Sequence, residues 1–162
     1  MGNWWHRFLL MGILVGCSGK DEDDTGGLVD TGMSSPDAIA CDARDDTGIE
    51  MVPGAGPDST APGIVDLNTP YTVVLSEGAG GWVRLVLPEA GTYEVHTGFA
   101  GVFRGLWSDT GERVLEPPRA SASCPDEIPE VFTVTVTEPI TYYMQLGPLA
   151  SIYFWMYVRL DT

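Results

Sequence analysis

The residues best equipped for chemistry are few: three cysteines, Cys17, Cys41 and Cys124, two histidines, His6 and His96, and a surplus of carboxylates. A thiol can be acylated, oxidised or bound to a soft metal, and a histidine can serve as base or ligand. Nucleophilic catalysis needs a base positioned by a third group. Beyond His6 the chain offers His96 alone, and a lone strand histidine beside Glu94 reads as a surface residue. Carboxylates for glycoside cleavage are plentiful, but no motif singles out two of them. The sequence therefore predicts a non-catalytic protein that needs no cofactor.

Asp21, Asp23 and Asp24 invite a calcium reading. An EF-hand loop needs a glycine at its sixth position and a bidentate glutamate at its twelfth. Counted from Asp21, the sixth residue is Gly26 and the twelfth is Gly32, so the strongest ligand is missing. No metal site is expected there.

Cys17 has a different setting. His6 and Arg7 precede the apolar run Phe8–Val15, which ends abruptly before Ser18, Lys20 and an acidic cluster. The run has the length of a secretory signal core and falls well short of the ~20 residues that span a bilayer. At its end Leu14-Val15-Gly16-Cys17 resembles the bacterial lipobox, in which the cysteine is lipidated and becomes the new N-terminus. The resemblance implies that residues 1–16 are a signal peptide and that Cys17 carries the lipid attaching the protein to a membrane. Acyl chains contribute about 0.8 kcal/mol per buried methylene, and a multiply acylated cysteine anchors stably. Ser18, rather than aspartate, after the cysteine implies sorting to the outer membrane of the cell envelope.

With Cys17 assigned to lipid, Cys41 and Cys124 remain, and two cysteines in an exported chain are expected to form one disulfide. It would contribute about 4 kcal/mol in the chain-entropy model. A metal site and two free thiols are the competing readings.

Residues 17–63 read as a lipidated cysteine and flexible linker. Positions 18–63 hold eleven Asp and Glu against Lys20 and Arg44, and Asp-Thr-Gly recurs. Such a segment cannot offset its ordering entropy by burial; about 40 residues of coil would span roughly 35 Å. The formal net charge of −15 argues against nucleic-acid partners, whose binding rests on clustered Lys and Arg.

After Gly63 the pattern becomes short alternating runs broken by Gly, Pro and Asp, which predicts an all-β domain over residues 64–162. Strands are expected at Tyr71–Leu75, Trp82–Leu87, Gly91–Thr97, Val102–Trp107, Glu112–Leu115, Val131–Val136, Thr141–Leu146 and Ile152–Leu160. Alternation sends Val83, Leu85 and Leu87 one way and Trp82 and Arg84 the other; likewise Phe132, Val134 and Val136 point inward and Thr133 and Thr135 outward. Ser108–Gly111 reads as a hairpin turn. Eight strands at this spacing predict a two-sheet antiparallel sandwich of jelly-roll type.

Within this stretch "WVRLVLPEAGTYEVHT", "FRGLWSDTGERVL", "TYYMQLG" and "YFWMYV" resemble the bacterial pre-peptidase C-terminal domain, a small β-sandwich. The resemblance implies the sandwich fold and an accessory role. Some members of that family bind calcium or polysaccharide; "GFAGVF", Gly98–Phe103, stands where many carry an acidic residue, which argues against calcium here.

In the last strand Ile152, Phe154, Met156 and Val158 alternate with Tyr153, Trp155, Tyr157 and Arg159. If the first set fills the core, the second forms an aromatic face able to hold a partner protein or sugar rings, unless the Cys41 segment or a nearby loop covers it. The expectation is an envelope lipoprotein displaying an interaction domain for a protein partner or a structural role, with a polysaccharide-binding module as the second reading.

Overall fold

The computed structural model describes residues 35–150 and 153–161. The expected signal peptide, the lipobox-like residues 14–17, the first part of the expected linker and Ile152 lie outside the described residues. Ten strands and one helix follow in chain order: α1 (Pro36–Ala43), β1 (Ile49–Met51), β2 (Gly63–Ile64), β3 (Pro70–Val74), β4 (Gly81–Leu87), β5 (Gly91–Thr97), β6 (Phe103–Ser108), β7 (Gly111–Arg113), β8 (Glu130–Val136), β9 (Ile140–Leu146) and β10 (Tyr153–Asp161). No helix among the described residues is long and apolar enough to cross a membrane.

The strands form two five-stranded sheets, ordered β1-β3-β10-β5-β8 and β2-β4-β9-β6-β7. From β3 onward successive strands pass between the sheets, except at the β6–β7 hairpin, in the winding of a jelly roll. All eight expected strands are present, and the Ser108–Gly111 turn joins β6 to β7, with Gly111 at a φ of 125° that favours glycine. The sheets are not purely antiparallel, because β1 pairs with β3 and β2 with β4 in parallel.

The core confirms the alternation read from sequence. Val83, Leu85 and Leu87 of β4 meet Phe132 and Val134 of β8 and Phe154, Met156 and Val158 of β10, all buried. Full burial of one such side chain contributes roughly 1.5–3 kcal/mol, so this interior is the principal source of stability.

The domain begins earlier than residue 64. Much of the 36–63 segment is built into it: α1 packs on the first sheet, β1 and β2 each extend a sheet, and Gly54 bridges to Trp82. The helix has local causes. Ser35 caps it by accepting a hydrogen bond from the Ala38 N–H at 3.2 Å, Pro36 occupies the first turn without a missing donor, and Asp37 complements the helix dipole. At eight residues it is too short to show a periodic stripe, which is why composition reads the region as linker.

Candidate functional site

The two sheets differ on their outer faces. In the first, β5 is buried at five consecutive positions, Tyr93–Thr97, so both of its faces are covered. In the second, β4 alternates strictly between buried and partly exposed residues, so its outer face is open. Each face gathers a different set of side chains.

The covered face is closed by α1 and the segment that follows β7. A disulfide joins Cys41 at the end of α1 to Cys124 in that segment, with Cα atoms 6.1 Å apart. Beneath it a second apolar cluster unites Ala40, Ile128, Val131 and Tyr157, with Cys41, Cys124 and Trp155 packed against it. Register explains the row: Tyr157 of β10 lies opposite His96 of β5, and His96 lies opposite Val131 of β8.

The expected aromatic face on β10 is therefore not an open ladder. Tyr153 is 57% exposed, but Trp155 is half-buried and stacks on Tyr157 with ring centroids 5.7 Å apart. Tyr157 is 2% exposed, and burial pushes its hydroxyl above the usual tyrosine range. Arg159 is half-buried opposite Glu94. The stapled helix covers what strand alternation alone would leave outside, as the competing reading held.

The same cover overturns the reading of His96 as a surface residue. His96 is fully buried, with Asp37 of α1 at 3.9 Å from Nδ1 and Glu94 of β5 at 3.5 Å from Nε2. Arg119 closes the group from the solvent side: Nη1 donates to Asp37 Oδ2 at 2.9 Å and Nη2 to Glu94 Oε1 at 2.7 Å. The Ala122 N–H also donates to Asp37. Burial drives the Asp37 carboxyl upward, yet the Arg119 hydrogen bond, the Ala122 N–H and the charges of Arg119 and His96 together hold it below its ordinary range. Glu94 is held low first by its contact with His96, against burial, with Arg119 adding to the effect. Asp37 in turn raises Arg119.

The open face belongs to the second sheet. Trp82 of β4 and Trp107 of β6 meet edge to face with centroids 5.1 Å apart. Between them runs β9, whose Gln145 pairs with both Trp82 and Gly105, and whose Tyr143 pairs with both Arg84 and Trp107. Gly105 leaves room for the Trp107 ring in this position, which a Cβ there would overlap. Trp82, Arg84, Trp107, Tyr143 and Gln145 are all partly exposed. Arg84 is fixed by donating from Nε to the Ala61 carbonyl at 2.8 Å. Alternation identified Trp82 and Arg84 as outward; the meeting with Trp107 depends on cross-strand register, which the sequence does not display.

A third buried carboxylate, Glu130, is engaged by the backbone. Its Oε2 accepts from the Val102 N–H at 3.0 Å and the Phe103 N–H at 3.4 Å, which shapes the loop before β6. It has no reach into either face.

No protein-family model matches this chain, and no curated protein matches it in sequence.

Proposed function

We propose that this is a non-catalytic lipoprotein of the bacterial envelope, a β-sandwich recognition domain held to the outer membrane through lipid on Cys17. The observation that carries the binding role is the asymmetry of the sheets. One outer face is sealed by a disulfide-stapled helix; the other presents Trp82, Trp107, Tyr143 and Arg84 together. Tryptophan, tyrosine and arginine are the side chains that dominate protein–protein binding energy, and here they are held rigidly on strands. A protein partner in the envelope is the first reading, and the recognition face moves from β10 to the second sheet.

Polysaccharide is the second reading, supported by the polar residues Gln145 and Thr141 that interleave with the rings. Either ligand fits a module without catalytic residues. The lipobox supports the anchor, and the likeness to pre-peptidase C-terminal domains agrees with an accessory role.

Two measurements test the proposal. Intact mass of envelope-extracted protein should give a chain starting at an acylated Cys17; an unmodified Cys17 or a retained Met1 would refute the anchor. Crosslinking in intact cells should capture one specific partner with the parent and with Trp155→Ala, and lose it with Trp107→Ala. Equal capture by all three would remove the open face from the account, and polysaccharide alone with the same dependence would establish the second reading.

A further inference from the structure

Asp37, Glu94 and His96 each offer a ligand atom, and these atoms all lie within 4.8 Å of one another. They come from two elements, α1 and β5, that the fold brings together. Asp37 is 4% exposed, Glu94 7% and His96 0%. Neither ring nitrogen of His96 has a hydrogen-bond partner, and neither does Glu94 Oε2. Buried polar atoms are almost always paired, so the two orphans that face each other, His96 Nε2 and Glu94 Oε2, call for a missing partner between them.

The separations fit an ion better than a hydrogen bond. Nε2 and Glu94 Oε2 are 3.5 Å apart, beyond the usual N–H···O distance. Two ligands each 2.0–2.2 Å from a tetrahedral ion are about 3.4 Å apart. Asp37 faces the other edge of the ring, 3.9 Å from Nδ1, and completes the set by turning from Arg119 toward the Nε2 side.

We propose that Asp37, Glu94 and His96 form a divalent-cation site that ties α1 to the first sheet. One imidazole with two carboxylates suits a borderline ion, zinc foremost, rather than calcium, which takes six to eight oxygens. Arg119 is the competing cation. It bonds both oxygens of Asp37 and Oε1 of Glu94, and its side chain is 46% exposed, so it has room to withdraw into solvent as the ion enters. The site is independent of the open face and of what that face binds.

The test is thermal unfolding of the purified full chain, disulfide intact, across a zinc titration, with cobalt(II) absorption as a second readout. Zinc binding to the folded state should raise Tm with concentration, and cobalt should give visible bands from a nitrogen–oxygen site. His96→Gln should abolish both responses. Arg119→Gln, which removes the competing charge, should respond at a zinc concentration lower by roughly tenfold, the scale on which neighbouring groups tune metal affinity. An unchanged Tm in both the parent and Arg119→Gln at saturating zinc would overturn the proposal and leave a closed ion-pair cluster. So would a His96→Gln response equal to the parent's. Should His96→Gln fail to fold, Arg119→Gln decides alone: a response at lower zinc supports the site, and an unchanged or weaker one overturns it.

Discussion

Asp37 carries more of the architecture than its place in an acidic segment suggests. It stands in the first turn of α1, accepts from Arg119 and from the Ala122 N–H, and faces His96, so one carboxylate connects the helix, the segment after β7 and the first sheet. Asp37 and Glu94 are both held below their ordinary values of 3.8 and 4.5. A lowered carboxylate contributes stability that is fully present above its unfolded pKa and is lost as pH falls through its folded pKa. Stability should therefore fall from about pH 5 downward. Asp37→Asn should lower the urea midpoint at pH 7, and the gap to the parent should narrow steadily as the pH drops toward 3. A gap independent of pH would show that the charge of Asp37 contributes nothing. No pattern of residues announces this role, because the partners of Asp37 lie on elements that only the fold brings near.

At the scale of elements, the strands were legible and the cover was not. Val83-Leu85-Leu87 and Phe132-Val134-Val136 announce their inner faces by period-two alternation, and the sandwich follows from enough such runs. The eight residues of α1 follow a capping serine and open with a proline and an aspartate, yet lie within acidic sequence whose composition reads as spacer. The Cys41–Cys124 bond was legible from cysteine arithmetic and export; what it covers was not. The bond closes a loop spanning 83 residues and would contribute about 4.5 kcal/mol in the chain-entropy model. Replacing both cysteines by serine should lower the unfolding free energy by an amount of that order, and it should speed amide exchange in α1 and expose Tyr157 while leaving β4, β6 and β9 protected. Uniform loss of protection across both sheets would contradict the assignment of the bond to one face.

For the molecule as a whole, one face is closed and one is open, and the functional proposal rests on that division. Trp155 and Tyr157 of β10 lie beneath the stapled helix, whereas Trp82 and Trp107 meet on the opposite sheet with Tyr143 beside them. A lipid anchor on Cys17 would hold the domain at the envelope and leave the open sheet available to a partner. The most direct measurement is hydroxyl-radical footprinting of tryptophan and tyrosine side chains in intact cells, compared with the same labelling of purified protein. Trp82, Trp107 and Tyr143 should be protected in cells relative to the purified state, while Tyr153 should be labelled equally in both. Equal labelling of Trp82 and Trp107 in the two states would contradict the open sheet as the recognition face.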